Sequence, residues 1–188
     1  MMETGEGNMR GILDKPIYLT GFMATGKSKV GILLADRLGR GFLDTDEMII
    51  EAAGESIPDI FENEGEAAFR QYEYEAILET SRKKQVVVSL GGGAITQQRN
   101  WDVIRSTGVC MCFTASIDTI FERVRRKASE RPLLAGLDDI GLENKIRNML
   151  EEREPYYKLA DIFVASTDDR SPEQTAELAL AALTKMGS

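Results

Sequence analysis

The sequence predicts an α/β protein, a three-layer α/β/α arrangement around a central five-stranded parallel sheet. Three observations carry that prediction. Five short apolar runs, at 17–19, 42–43, 85–90, 109–113 and 162–164, alternate with stretches whose apolar residues recur at helical spacing, an order that implies parallel strands joined by crossover helices. The run Val86-Val87-Val88 is continuously β-branched, as strands covered by helices on both faces are. Finally, Gly21-Phe22-Met23-Ala24-Thr25-Gly26-Lys27-Ser28 stands between the first strand run and the first helical stretch. In that context G-x-x-x-x-G-K-S forms a loop that cradles phosphates.

Taken in order, Val30, Leu33, Leu34, Ala35 and Leu38 share a helical face over 30–38, and Gly39 and Gly41 end that helix. Phe42-Leu43 leads into Asp44-Thr45-Asp46, an acidic pair at a strand end, after which Met48, Ile49 and Ile50 return to helical spacing. Pro58, Ile60 and Phe61 mark a short helix. Gly65 precedes a longer one with Phe69, Tyr72, Ala76 and Ile77 on one face and Arg70 near its edge. The β-branched run ends in Gly91-Gly92-Gly93. A helix is expected over 101–105, and Ser116 is placed to cap another that runs through Arg125. Residues 127–138 combine charge with Arg131-Pro132-Leu133-Leu134 and read as a mobile lid. A helix from Ile140 to Glu152 is expected to end before Pro155. Ser171, Pro172 and Gln174 then supply the N-cap, N1 and N3 residues of a last helix. Residues 1–15 read as a disordered tail and 16–186 as one domain.

With 188 residues the chain is long enough to bury a core without staples. It carries 23 Lys and Arg against 31 Asp and Glu, a net charge of −8, which argues against a general nucleic-acid binder. An enzyme acting on anions would have to gather its few cations at the site. There is no histidine, and the two cysteines, Cys110 and Cys112, lie two apart in a strand run. They share one face as buried thiols, with neither a metal set nor a disulfide framework to join. This suits a reducing cytoplasm. No apolar run reaches the length of a membrane span. Small-molecule partners and a monomer are expected, with no nucleic acid and no membrane.

Each motif has a chemical reason for its residue types. Backbone N–H groups of a loop at a helix N-terminus make a nest for polyphosphate. Lys27 would reach the β- and γ-phosphates, and the Ser28 hydroxyl would hold Mg²⁺. Asp44 and Asp46 point the same way if the backbone is extended, whereas a turn divides their tasks; either one is also suited to cap the following helix. Arg70 offers a guanidinium fork to a carboxylate, although Glu66 and Glu73 stand at offsets that allow intrahelical pairs. Arg153 has the same fork, or else suits a helix C-terminus. Three consecutive glycines mean that the backbone turns where side chains would obstruct it, or approaches a ligand closely.

Together these motifs resemble the shikimate kinases, small phosphate-loop kinases of the nucleoside-monophosphate-kinase-like fold. The resemblance runs from Ile17 to Met186 and rests on 21–28, Asp44-Thr45-Asp46, Phe61 with Gly65, Glu66, Phe69 and Arg70, Gly91-Gly92-Gly93, Arg131-Pro132-Leu133-Leu134, and Arg153 with Tyr157. It implies Mg²⁺-dependent transfer of the ATP γ-phosphoryl group to the 3-hydroxyl of shikimate, a step of aromatic amino-acid biosynthesis. It also implies a helical substrate-binding segment over about 45–80. Ala24, Thr25, Gly26, Lys27, Ser28 and Lys29 would hold ATP, with Ser28 and Asp44 serving Mg²⁺. Lys27, Asp46 and Arg131 would be catalytic, Asp46 holding the acceptor hydroxyls and positioning or deprotonating the attacking one. Arg70 and Arg153 would clamp the substrate carboxylate, and Gly91, Gly92 and Gly93 would face the substrate. Phe61 and Phe69 would wall its ring, unless they are ordinary core residues. Arg126, or its neighbour Arg125, would stack on adenine opposite Pro172.

The chain departs from the family pattern at Ala24, where glycine is common, at Thr25, where a smaller residue is common, and at Lys29, where threonine is common. Two other readings compete. One is a kinase of another polyol acid such as gluconate. The other is a catalytically silent nucleotide-binding module, which would be expected to lose Lys27, Asp46 or Arg131.

Overall fold

The computed structural model describes residues 14–126 and 137–186. Its sheet has five parallel strands in the order β2-β3-β1-β4-β5: β1 (Ile17–Gly21), β2 (Gly41–Asp44), β3 (Val86–Ser89), β4 (Val109–Thr114) and β5 (Ile162–Ala165). Between them run α1 (Lys27–Leu38), α2 (Thr45–Ala53), α3 (Ile57–Asn63), α4 (Glu66–Ser81), α5 (Gln98–Thr107), α6 (Ile117–Arg125) and α7 (Asp139–Tyr157), and α8 (Pro172–Met186) follows β5. The alternation read from the sequence is therefore the architecture, and all five strand runs are strands.

The central strand shows why both faces must be covered. Every residue of β1 is buried, with alternate side chains entering different cores. Ile17 and Leu19 join Val87 and Met111 beneath α1 and α8, through Leu34, Ala176 and Leu183. Tyr18 faces the other way with Val88, Cys110 and Cys112, against Trp101, Ile104, Ile120 and Ile146. Both cysteines are thus buried on one face. A smaller cluster of Ile49, Ile60, Phe69 and Ala76 holds α2, α3 and α4 together.

Local capping follows the residue types. Ser116 caps α6 by accepting from the Thr119 amide at 3.1 Å. At α8, Gln174 Oε1 accepts from the Ser171 amide at 2.9 Å while Ser171 Oγ accepts from the Gln174 amide at 3.3 Å, a reciprocal capping box with Pro172 at its first helical position.

Several boundaries differ from expectation, among them α1, which starts at Lys27 rather than Val30. The β3 strand starts at Val86, because Gln85 turns with φ +54°. The helix expected over 101–105 extends to Gln98–Thr107, preceded by a 3₁₀ turn at Ala94–Thr96. Most notably, α7 does not stop before Pro155 but continues through it to Tyr157. Proline removes one i→i−4 bond, and the residue four before it, Glu151, lies exposed where water can serve its carbonyl. The extra turn is held by Tyr157, which is buried and donates its hydroxyl to the Gly92 carbonyl at 2.7 Å. The expected tail falls at 1–15 and the expected lid at 127–138; residues 1–13 and 127–136, Arg131 among the latter, lie outside the described residues.

At Gly108, between α5 and β4, a Cβ would come within 2.5 Å of the Pro16 carbonyl oxygen and 2.4 Å of the Tyr18 ring. That carbonyl already accepts from the Val109 amide at 3.0 Å and cannot retreat without breaking the entry to β4. Gly108→Ala is expected to destabilise the fold by about 2–3 kcal/mol, lowering Tm by about 5–10 °C in a chain of this size. An unchanged Tm in thermal denaturation would contradict this packing account.

Candidate active site

The carboxyl ends of β1, β2 and β3 form one rim, and each of the three motifs follows one of them. The chain turns toward β2 on one side of β1 and crosses from β3 to β4 on the other, the arrangement that opens a ligand crevice in a parallel sheet.

The phosphate loop leaves β1 through Gly21, whose φ of +130° and close approach to the Phe113 carbonyl, 2.2 Å from where a Cβ would sit, admit no side chain. Gly26 takes φ +91° to start α1. Ala24 also has positive φ, +62°, a conformation that strains a residue with a Cβ. The loop's carbonyls are held by side chains. Lys27 Nζ donates to Gly21 and Phe22 at 2.8 and 3.0 Å, and the buried Thr25 hydroxyl donates to Phe22 at 2.8 Å. Arg123 donates to Ala24 at 3.1 Å and to Ser166 Oγ at 2.9 Å, while paired with Asp168. Lys29 is exposed on α1.

Asp44 uses both carboxylate oxygens. Its Oδ1 accepts from the Asp46 amide at 3.0 Å and caps α2, while its Oδ2 accepts from the Ser28 hydroxyl at 2.8 Å. Ser28 also lies 3.2 Å from Ser89 Oγ. The turn at Thr45 separates the two aspartates, and the buried Thr45 hydroxyl accepts from the Gly91 amide at 3.1 Å, tying the β2 and β3 ends together. Burial raises the Asp46 carboxyl from its ordinary value of 3.8 to about 6; nearby Asp44 adds to the shift, Lys27 acts against it and Glu73 adds a smaller push.

The glycine triplet is where the motifs meet. A Cβ on Gly91 would lie 2.8 Å from Asp46 Oδ1; on Gly92, 3.4 Å from Arg153 Nη1 and 3.5 Å from the Gly21 carbonyl; on Gly93, 3.5 Å from Arg70 Nη1 and 3.6 Å from Arg153 Nη2. Arg153 also lies over the Phe22 ring, 5.8 Å from its centroid. The backbone thus passes between an acid, two guanidinium groups and the phosphate loop. A cavity of about 510 Å³ borders the phosphate loop, lined by Phe22, Thr25, Cys112, Ile120, Leu150 and Tyr157 among others, and takes in none of Lys27, Asp46, Arg70 or Arg153.

Arg70 makes both intrahelical pairs. Glu66 Oε1 accepts from its Nε and Nη2 at 3.3 and 3.2 Å, and Glu73 accepts from Nη1 at 3.1 and 3.3 Å. Glu73 is buried, which raises its pKa against the opposing effect of Arg70. Phe69 packs in the core of α2–α4 with its ring 4.7 Å from Phe61, which is 39% exposed and faces outward. Arg125 is engaged with Glu122, Asp139 and the Phe121 ring, Arg126 is an exposed helix end, and Pro172 is exposed at the start of α8. Reasoning from the sequence missed Thr45, Glu73 as a buried group, Asn100 and Arg123. For Arg123, the loop contact spans 99 residues and leaves no local signal.

Residues 23–184 match the model of the family described as shikimate kinase. The chain belongs to the shikimate kinase family. A shikimate kinase of Caldanaerobacter subterraneus subsp. tengcongensis is 40% identical over 172 residues, which cover 92% of this chain and 98% of the relative. The crystal structure of shikimate kinase from Bacteroides thetaiotaomicron superposes with a TM-score of 0.85 at 31% identity, covering 90% and 98% of the two chains. The Acinetobacter baumannii enzyme, solved in complex with shikimate, gives 0.84 at 34% identity, covering 95% and 98%. ATP is the co-substrate of this kinase family.

Because the folded pKa of Asp46 is raised, the group favours the fold fully only below its unfolded pKa of about 4. That contribution is lost as pH rises through about 6. Asp46→Asn is therefore expected to stabilise the metal-free protein by about 1–2 kcal/mol at pH of about 7.5, with the advantage gone near pH of about 4. Urea denaturation in the presence of a chelator at both pH values measures it; an equal effect at both would refute the burial account.

Proposed function

We propose that this chain transfers the γ-phosphoryl group of ATP to the 3-hydroxyl of shikimate, with Mg²⁺, as a monomeric cytoplasmic enzyme. The observation that carries the reading is the convergence of Asp46, Arg70 and Arg153 on the Gly91–Gly93 backbone beside the phosphate loop. The two buried thiols suit a reducing compartment.

The donor half is the loop. Its amides and Lys27 hold the phosphates, Lys27 exchanging the Gly21 and Phe22 carbonyls for phosphate oxygens. For Mg²⁺ the fit is good. Ser28 and Asp44 are hard oxygen donors joined at 2.8 Å, and this ion takes one or two protein oxygens, substrate phosphates and water rather than a full protein cage. This accords with the lack of any three-ligand cluster among the described residues. When bound, Mg²⁺ offsets charge on the β- and γ-phosphates.

The acceptor half lies opposite. Arg70 and Arg153 present two forks to the shikimate carboxylate, and Asp46 receives hydrogen bonds from the ring hydroxyls and orients the attacking one. A raised pKa makes Asp46 a better base once it is ionised, so it can take the hydroxyl proton as the O–P bond forms. The transition state is loose, and positioning contributes more than base strength. Phe61, exposed above Phe69, covers the ring.

ADP release coupled to a reporter, measured with shikimate, quinate and gluconate, tests the reading; no stimulation by shikimate would sink it. Within that assay Arg70→Ala is expected to raise the shikimate KM at least about tenfold, since a charged hydrogen bond contributes roughly 1.5–3 kcal/mol. Asp46→Asn should depress kcat with the ATP KM nearly unchanged. A large loss of ATP affinity would assign Asp46 to the nucleotide instead.

A further inference from the structure

Asn100, at the start of α5, is a polar side chain wholly buried beside the apolar core. Its Nδ2 donates to Glu73 Oε2 at 3.1 Å and to the Ala94 carbonyl at 2.9 Å, and its Oδ1 meets no partner among the described residues. Both neighbours are acceptors, so only the NH₂ end of the amide can face them and the orientation is fixed. A buried acceptor without a partner works against folding. The two bonds that Asn100 does make lead directly to the acceptor half of the site.

The first bond leads to Arg70. Glu73, with its side chain 2% exposed, takes Arg70 Nη1 on both oxygens. The opposite edge of the same guanidinium, Nε and Nη2, is paired with Glu66, whose side chain is 67% exposed. An exposed pair of this kind exchanges readily for another carboxylate, whereas a buried one does not. Arg70 is thus fixed at one corner and exchangeable along one edge. The second bond leads to the 3₁₀ turn that follows Gly93, whose own carbonyl accepts from the Thr96 amide and hydroxyl. Burial pushes the Glu73 carboxyl up, and the bond from Asn100 acts with Arg70 in the other direction.

We propose that Asn100 is a positioning residue for the acceptor: through Glu73 it fixes the Arg70 guanidinium, and through Ala94 it fixes the glycine turn, so that the Nε–Nη2 edge meets the substrate carboxylate. The inference rests on the assignment of Arg70 made above. It makes Glu73 an anchor rather than a ligand, and gives the unmet Oδ1 of Asn100 a reason.

Steady-state kinetics on the full chain test it with Asn100→Leu, Asn100→Ser, Glu73→Gln and the two double variants. Asn100→Leu keeps the branched heavy-atom shape, with bulkier methyl ends, and removes both donors. It is expected to raise the shikimate KM about 5–20-fold, with kcat within about threefold and the ATP KM within about twofold. Asn100→Ser keeps one hydroxyl donor and should raise that KM about 2–5-fold; it carries the test if the leucine variant does not fold. In the Glu73→Gln background either change should add less than it does alone, because the arm through Glu73 is already weakened and only the arm through Ala94 remains to be lost. An unchanged shikimate KM in a folded variant, equal rises in both KM values, or multiplicative effects in the double variants would each overturn the proposal. If Arg70→Ala raises the shikimate KM and the Asn100 variants do not, this inference alone fails. If Arg70→Ala has no effect, the assignment of Arg70 fails and this inference falls with it.

Discussion

Two carboxylates held largely out of water at the rim of the sheet determine most of what surrounds them. Asp46 and Glu73 come from different helices, are both raised by burial, and repel each other. Buried anions persist only with nearby cations or donors. Arg70 and Asn100 serve Glu73 directly, while Lys27 is the cation that acts on Asp46. The chain as a whole carries −8, yet Lys27, Arg70 and Arg153 all stand at this rim. The same packing bears on the glycine triplet. At Gly91 the space that a Cβ would need is taken by the Asp46 carboxylate, whereas a Cβ on Gly93 would only touch the guanidinium groups of Arg70 and Arg153. Gly91 makes room for a charge as much as for a ligand.

What was legible in the sequence was local. The phosphate loop, the alternation of strand and helix, and the caps at Ser116 and Ser171 depend on residues within a few positions of one another, and each stands where its pattern put it. For Asp44 the cap is what the structure shows, and it leaves the second oxygen of the carboxylate for another partner: Oδ1 takes the Asp46 amide and Oδ2 the Ser28 hydroxyl. Pro155 misled because proline ordinarily ends a helix, and the Tyr157–Gly92 bond that carries α7 past it spans 65 residues. Glu73 was visible only as one of two equivalent partners for Arg70. Burial distinguishes it from Glu66, and burial at a helix edge depends on what α5 brings against it.

The phosphate loop shows a further consequence of satisfying backbone groups from outside. The carbonyls of Gly21, Phe22 and Ala24 are taken by Lys27, Thr25 and Arg123. A loop whose carbonyls are held in this way keeps its amides for an anion, which is what a nest requires. Ala24 is strained at φ +62°, at a cost of about 1–2 kcal/mol for a left-handed residue with a Cβ. Its carbonyl is the one that Arg123 holds, and Arg123 is fixed in turn by Ser166 and Asp168 beyond β5. The departure from glycine at this position is therefore matched by a contact from the far edge of the sheet. The grip of the loop depends on that contact as well as on its own sequence.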